Sequence, residues 1–297
     1  MIEQVLYGAV RGGTSLLFPV LGETIAERAG VINLGTEGSM LAGALTAYIV
    51  GVQTGSVWLG ALAGAGAGAS LALVHAFMVL TRGANQIATG LVVTFLGIGL
   101  TALFGQEWVG VGVNGFGAVA IPVLSQIPVV GRVLFDQDPL TYLSLLAAPA
   151  IWWLLFRSRA GLRLRAAGER PDVLLAHGGS PTLVRYVAVV AGGALAGLGG
   201  AQLSTAFTRD WSEGMTVGRG FVAVALVIFA AWNPLRAIGG AYLFSGAIAL
   251  QLQLQARGWE LSPYLLQAAP YLLVIAVLAV LSRRRAHQAP EALAKVF

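Results

Sequence analysis

The chain has 297 residues, of which 57% are hydrophobic, only 10% carry a charge and none is cysteine. Soluble domains contain about 25% charged residues, so the composition argues against a soluble enzyme, and the lack of cysteine excludes disulfides and thiolate chemistry. The net charge of +5 comes largely from arginines that flank apolar segments. This arrangement indicates the positive-inside pattern of membrane proteins rather than nucleic-acid binding.

The first 104 residues are predicted to contain four membrane spans, since a span needs about 20 apolar residues. The first covers about Gln4–Leu21 and has no positive n-region or cleavage site, so it is expected to stay attached. Two more spans fill the uncharged stretch Gly38–Thr81, which is interrupted at Gly51–Ser56. A fourth covers Gln86–Phe104.

Between the first two spans, the segment Gly22–Gly38 combines charged residues with glycines. Ionisable groups cost about 2.5–3.5 kcal/mol inside a membrane and usually face a cavity or a partner. Gly35 and Gly38 would permit a broken helix, and transporters bind substrate beside such breaks. The segment is therefore a candidate part of a solute pathway, which includes Asn33 and Glu37. An interfacial loop with solvated charges is the alternative.

The rest of the chain alternates apolar spans with polar connections. The connection Gln106–Asp138 has no 20-residue helical stretch and is placed outside the membrane or dipping back into it. The five remaining predicted spans are Pro139–Phe156, Tyr186–Ser204, Met215–Ala231, Leu235–Gln255 and Leu261–Leu281. The fold class is therefore all-α, a polytopic bundle of about 8–10 spans in one transmembrane domain over residues 1–297.

Small residues recur at intervals of four in two of the spans. Such stripes let helix backbones approach closely in lipid. The alternative is a general enrichment in glycine and alanine. The residues concerned are Gly60, Gly64 and Gly68 in one span and Gly193, Gly197 and Ala201 in the other.

The longest polar connection, about residues 157–185, is predicted to carry a short helix. Pro171 can begin that helix, and Gly178 or Gly179 can end it. The apolar run Val173–Leu175 lies among charges in this connection, which indicates a protein docking surface. Packing of these residues back onto the bundle is the alternative.

Arginines at both ends of the second half of the chain predict its orientation. The polar connection holds six of them, and Arg283–Arg285 follow the last span. The positive-inside rule therefore places the connection, the tail 283–297 and the C-terminus in the cytoplasm. Counting spans backwards places the N-terminus outside.

No catalytic machinery is predicted. The only lysine is Lys295, so no P-loop is present, and the histidines show no metal-ligand spacing. We therefore predict no catalytic residue and no metal site.

Four segments together resemble a known family: Glu27–Gly38, Gly161–Pro171, Met215–Pro234 and the tail from Ala289. The chain resembles the transmembrane permease subunits of bacterial ATP-binding-cassette (ABC) importers, in the group of branched-chain amino acid and ribose permeases. Its likeness is greatest to the nucleoside branch. The resemblance implies a multi-pass protein of the inner (cytoplasmic) membrane that forms half of a translocation pathway for nucleosides.

The resemblance also implies partners. They are a separate ABC ATPase that binds ATP and magnesium, a second and different permease subunit, a substrate-binding lipoprotein and membrane lipid, with no nucleic acid and no cofactor on this chain. A coupling helix in the polar connection would press into a groove of the ATPase. The residues expected to couple are Arg163, Arg165, Gly168, Glu169, Pro171 and Asp172.

Within this framework the pathway hypothesis rests on polar residues in or beside apolar spans. Asn33, Glu37 and Arg219 are expected to line or gate the pathway, together with Gly35, Gly38 and Asn233. The alternative function is a secondary transporter driven by an ion gradient, which would need paired acidic groups within spans. A membrane enzyme is a third class.

Overall fold

The computed structural model describes residues 2–258, 262, 268–272, 275–276, 279 and 289–295. The α-helices are α1 (Ile2–Arg28), α2 (Thr36–Thr54), α3 (Val57–Ala76), α4 (Gln86–Gly105), α5 (Val130–Phe135), α6 (Pro139–Arg157), α7 (Arg159–Glu169), α8 (Pro171–Ala176), α9 (Pro181–Gln202), α10 (Arg219–Phe229) and α11 (Pro234–Ala256). π-helical turns extend α3 to Thr81 and α9 to Phe207. The other elements are 3-10 helices at Gln106–Trp108, Leu124–Gln126 and Glu291–Lys295, and antiparallel strands β1 (Val119–Ala120) and β2 (Asp136–Gln137).

Six of these helices, namely α1, α3, α4, α6, α9 and α11, are long and apolar enough to cross a membrane. The prediction of an all-α polytopic bundle is thereby confirmed. The predicted spans Gln86–Phe104, Pro139–Phe156 and Leu235–Gln255 match α4, α6 and α11 to within one residue at each end. The two spans predicted within Gly38–Thr81 are α2 and α3. The last predicted span, Leu261–Leu281, lies mostly outside the described residues.

The limits predicted for the first span are wrong. The helix does not end near Leu21, because α1 continues to Arg28. Gly13 lies within α1, and a Cβ atom there would lie 2.4 Å from a ring carbon of Tyr242 in α11, so the glycine is needed for close packing. The irregular segment between α1 and α2 is only Ala29–Gly35, and most of the predicted segment Gly22–Gly38 is helical.

The two predicted stripes of small residues pack directly against each other. A Cβ atom at Gly197 would lie 2.2 Å from the carbonyl oxygen of Gly64, and one at Gly68 would lie 2.3 Å from that of Gly193. Helix α2 joins this contact through Gly43, where a Cβ atom would lie 2.4 Å from Cα of Gly197. The backbones of α2, α3 and α9 therefore touch, which residues with a side chain would prevent. General enrichment does not explain these positions.

The predicted span Met215–Ala231 is too long, because its helical part is α10 alone. The 11 residues of α10 make it about 16 Å long, roughly half the thickness of the bilayer core. The residues before it form turns. Gly218 has a φ of 78°, which is outside the right-handed helical region, so α10 cannot extend further towards the N-terminus. Those turns are not a surface loop, because Trp211 and Thr216 within them are fully buried.

The polar connection folds as predicted at its centre. Pro171 begins α8, and Gly178, with a φ of 74°, follows its end. Helix α9 starts five residues earlier than the predicted Tyr186, because Ser180 Oγ accepts a hydrogen bond from Leu183 N and caps it. The connection Gln106–Asp138 contains only short elements, also as predicted.

The C-terminal tail lies against the polar connection. Leu293 is only 4% exposed and belongs to the main hydrophobic core. Glu291 Oε2 lies 3.7 Å from Arg170 Nε, which follows α7. The two regions therefore share one end of the bundle, and that this end is cytoplasmic stays a prediction.

Candidate functional site

The polar centre of the bundle lies where α2 and α10 begin. Glu37 is only 4% exposed. Its Oε1 accepts hydrogen bonds from Thr216 Oγ1 at 2.5 Å and from Gly218 N at 2.9 Å, and its Oε2 accepts one from Gly220 N at 2.6 Å. The carboxylate thus pairs amides that the start of α10 cannot pair by itself, and its charge lies at the positive end of that helix. We call Glu37, Thr216, Gly218, Arg219 and Gly220 the α2–α10 junction.

Arg219 extends from this junction towards the middle of α1. Its Nη1 donates to Ser15 Oγ at 2.6 Å and to the Gly12 carbonyl oxygen at 3.5 Å, and its guanidinium lies 5.7 Å from the centre of the Phe207 ring. Beside it is a cavity of about 130 Å³ between α1 and α11. The other polar side chains that line this cavity are Gln4, Ser245 and Gln253.

The irregular segment between α1 and α2 is held by side chains of α1 and α4. Glu23 accepts hydrogen bonds from Asn33 N at 2.7 Å and from Thr36 Oγ1 at 3.1 Å. Gln86 at the start of α4 accepts one from Ile32 N at 2.8 Å. The broken segment therefore has a defined geometry, because each of these backbone and hydroxyl donors has a side-chain partner.

The structure brings together most of the predicted pathway residues. Asn33 Oδ1 accepts a hydrogen bond from Gly35 N at 2.9 Å, and a Cβ atom at Gly38 would lie 2.7 Å from a backbone oxygen of α4. Two further candidates belong to the α2–α10 junction. Asn233 is separate, because it caps α11 through Leu235 N at the end of the bundle near the polar connection. That these residues line a solute pathway stays a prediction.

Sequence analysis missed a polar cluster beside the start of α6. Asp138 is 1% exposed, and its Oδ2 accepts hydrogen bonds from Thr141 Oγ1 at 2.8 Å and from Gln202 Nε2 at 3.5 Å. An aspartate directly before a proline at the start of an apolar run is a helix N-cap signal, and it would have placed Asp138 at the helix terminus.

A second missed cluster lies at the C-terminal end of α1. Glu27 accepts a hydrogen bond from Trp232 Nε1, and Arg28 Nη2 donates to the Trp232 carbonyl oxygen at 3.2 Å. The spacing of Glu23 and Glu27 by four residues is the signal that both lie on one face of a helix. Among the described residues, no three His, Asp or Glu side chains are grouped so as to hold a metal ion.

The polar connection presents an apolar surface at its tip. Val173 and Leu175 are 51% and 58% exposed, whereas Leu174 between them is buried. A groove of about 560 Å³ is lined by Val173 and Leu174 together with Leu162 and Leu183. One leucine thus packs back on the bundle, and its neighbours form an exposed patch surrounded by charges. We call Leu162, Val173, Leu175 and Leu183 the apolar patch.

The predicted coupling residues divide into two groups. Arg163, Glu169 and Asp172 are exposed, Arg163 lines the groove beside the apolar patch, and the predicted proline begins α8. Two others face the bundle. Arg165 Nε donates to a carbonyl oxygen at the end of α6 at 3.0 Å, and a Cβ atom at Gly168 would lie 2.4 Å from the carbonyl oxygen of the last residue of α1. Their contact with an ATPase stays a prediction.

Comparison with known proteins identifies a family. Residues 5–280 match the model of the branched-chain amino acid transport system permease component. The chain is 42% identical over 93% of its length, and 90% of the relative's, to a Haloferax volcanii protein provisionally named a glucose ABC transporter permease. It is 34% identical, over 90% of its length and 88% of the relative's, to a nucleoside ABC transporter permease of Lactococcus lactis. It is 31% identical, over 89% and 87%, to a guanosine ABC transporter permease of Bacillus subtilis. No solved structure matches the chain.

Proposed function

The chain belongs to the permease family of the branched-chain amino acid transport systems, and we propose that it forms half of the translocation pathway of an ATP-driven importer for nucleosides. ATP hydrolysis would occur on a separate ATPase that binds ATP and magnesium. A substrate-binding lipoprotein would deliver the solute, and a second, different permease would complete the pathway. The polar connection and the C-terminus would then face the cytoplasm.

The observation that carries this proposal is the α2–α10 junction. Its half-helix begins inside the bundle, at the buried carboxylate of Glu37, and transporters bind solute beside broken helices of this kind. The buried carboxylate of Glu37 holds this start, and Arg219 reaches from it to a cavity. A bundle with paired broken segments can switch between two arrangements without exposing unpaired amides to lipid.

The lining of the cavity beside Arg219 supports a neutral, hydroxyl-rich solute. Gln4, Gln253 and Ser245 offer both donors and acceptors to hydroxyl groups, and Phe207 offers an aromatic face. Arg219 is the one charged side chain among the described residues that line the cavity, and Ser15 Oγ and the Gly12 carbonyl oxygen already accept hydrogen bonds from it. The two nucleoside relatives favour a nucleoside, and the relative of 42% identity favours glucose as the second candidate.

Uptake measurements in the native host should distinguish these functions. In a strain lacking this chain, we expect uptake of tritiated guanosine and uridine to fall at least tenfold, while carbon-14 glucose uptake is unchanged. Restoring the wild-type chain should restore uptake, and ATP depletion should abolish it. Mild-detergent purification of the tagged chain should recover an ABC ATPase and a lipoprotein.

Other outcomes would indicate a different substrate or a different class of transporter. Loss of glucose uptake alone would establish the second candidate. Uptake that survives ATP depletion but not an uncoupler would contradict the importer and favour a secondary transporter.

The apolar patch gives a separate prediction for docking. Leu175→Asp places a charge on an exposed residue of the patch, and we expect the recovery of the ATPase with the tagged chain to fall about tenfold or more, as for interface hot spots. Leu124→Asp is the matched control, because Leu124 is also exposed but lies in the connection between α4 and α6. Equal ATPase recovery with both variants would show that the patch is not the docking surface.

A further inference from the structure

Arg185, in the first turns of α9, connects the polar connection to the end of α1. Its Nη2 donates to the Ala167 carbonyl oxygen of α7 at 2.7 Å, and its Nε donates to the Ala29 carbonyl oxygen at 3.1 Å. Ala29 is the first residue after α1. One guanidinium thus binds carbonyl groups from two chain segments that the sequence separates by more than a hundred residues, and lysine lacks the planar fork of donors that this geometry uses.

Two glycines and the tail meet at the same point. A Cβ atom at Gly30 would lie 3.1 Å from Cα of Gly168 and 2.7 Å from Cβ of Ala292 in the tail. Gly30 also has a φ of 87°, a conformation that side chains disfavour. Leu293 beside it is buried in the core that contains Ala29. We call Ala29, Gly30, Ala167, Gly168, Arg185, Ala292 and Leu293 the loop–helix contact.

We propose that the loop–helix contact transmits movement of the polar connection to the broken segment between α1 and α2, with Arg185 as a positioning residue and the tail as its cover. The proposal rests on the proposed function, because it assumes that an ATPase moves α7 and α8. Neither Arg185 nor the tail needs to touch the ATPase or the solute.

The segment between α1 and α2 leads from this point to the centre of the bundle. Asn33 N donates to Glu23, and the single hydroxyl proton of Thr36 lies between two acceptors, Glu23 Oε2 at 3.1 Å and the Asn33 carbonyl oxygen at 2.8 Å from Oγ1. The next residue, Glu37, holds the start of α10. A shift of α7 is therefore passed through paired backbone groups over eight residues of chain, from Ala29 to Thr36, to the α2–α10 junction. Packing alone does not show that two sites are coupled. The test must therefore change the loop–helix contact and measure both ATP hydrolysis and transport.

The first test measures coupling in the whole transporter. The tagged complex is reconstituted in lipid vesicles, and guanosine uptake and ATP hydrolysis are measured together. We expect Arg185→Gln to keep its ATPase and its rate of ATP hydrolysis but to transport about tenfold less solute per ATP, a typical size for coupling between sites. Arg185→Lys should recover part of the ratio. Arg82→Gln is the matched control, because Arg82 is exposed at the same end of the bundle.

The second test needs no transport. The chain has no cysteine, so Leu293→Cys introduces a single reporter at a buried position. Maleimide should label it slowly in the otherwise wild-type complex, and adding Arg185→Gln should raise the rate about tenfold, as expected for the loss of two hydrogen bonds. Adding Arg82→Gln should leave the rate unchanged.

Three results would overturn the proposal. They are an unchanged ratio of solute to ATP in Arg185→Gln, loss of the ATPase from that variant, and labelling of Leu293→Cys at the rate of an exposed cysteine without any second change. If the wild-type complex hydrolyses ATP but imports no guanosine, the proposed substrate is wrong, whereas the labelling rates still decide whether the contact exists and depends on Arg185.

Discussion

Gly197→Ala is expected to separate α3 from α9 and to destabilise the chain in detergent. The added methyl group would lie 2.2 Å from the Gly64 carbonyl oxygen, which belongs to backbone and cannot rotate away. The helices must therefore move apart, at a cost of about 1–3 kcal/mol for overpacking. Because α2 shares this contact through Gly43, we expect the melting temperature to fall by several degrees and the yield of folded protein to fall with it.

Gly66→Ala is the matched control for this change. Gly66 lies two residues from Gly64 on the same helix, but no atom lies within 4 Å of the position of its Cβ. Alanine favours a helix over glycine by about 1 kcal/mol, so this variant should be as stable as the wild type or more stable. The two variants are compared by heating each one and measuring the remaining folded fraction by fluorescence-detection size-exclusion chromatography. Equal stability of both variants would contradict the packing of α3 against α9.

Glu37→Gln is expected to reduce uptake at least tenfold while the chain still reaches the membrane. The amide replaces one accepting oxygen by a donor, so at least one of the three donors, Thr216 Oγ1, Gly218 N and Gly220 N, loses its partner. A buried polar group without a partner costs about 1–3 kcal/mol, and the start of α10 also loses the negative charge that favours it. Guanosine uptake by vesicles with equal amounts of the chain measures this effect.

Two further variants serve as a comparison and a control for Glu37→Gln. Thr216→Val removes only one of the donors and keeps the shape of the side chain, so its effect should be smaller than that of Glu37→Gln. Glu107→Gln makes the same chemical change at an exposed glutamate and should transport normally. A wild-type rate for Glu37→Gln would show that the junction does not need the charge.

The pathway assignment requires more than this one variant. Asn33→Ala should weaken the turn that Gly35 N closes, and Arg219→Gln should remove the cation beside the cavity. We expect both to lower uptake, with the larger change in the apparent affinity for guanosine in Arg219→Gln, because only Arg219 lines the cavity. If these two variants and Glu37→Gln all transport normally, none of the three residues lines or gates the pathway.

The sequence by itself determined the membrane class and most of the helices. The uncharged run Gln86–Phe104 could only be a span, because a helix hydrogen-bonds its own backbone in lipid. The proline at 171 and the glycine at 178 predicted the limits of α8 from local backbone preferences. The four-residue spacing of Gly64 and Gly68 predicted a helix contact surface. Each of these features depends on neighbouring residues alone.

Only the tertiary structure decided where the charged residues go. Glu23, Glu27 and Arg28 suggested a polar loop by composition, yet they lie within α1, because their partners lie outside that helix. Asn33 and Thr36 come from the segment that follows α1, and Trp232 is more than 200 residues away. The same reason explains why α10 is a half-span. Its start is set by Glu37, which is more than 170 residues away in sequence. A pattern of neighbouring residues therefore cannot predict where α10 begins. A charged side chain can be buried at low cost only beside a partner, and the fold determines which residue that partner is.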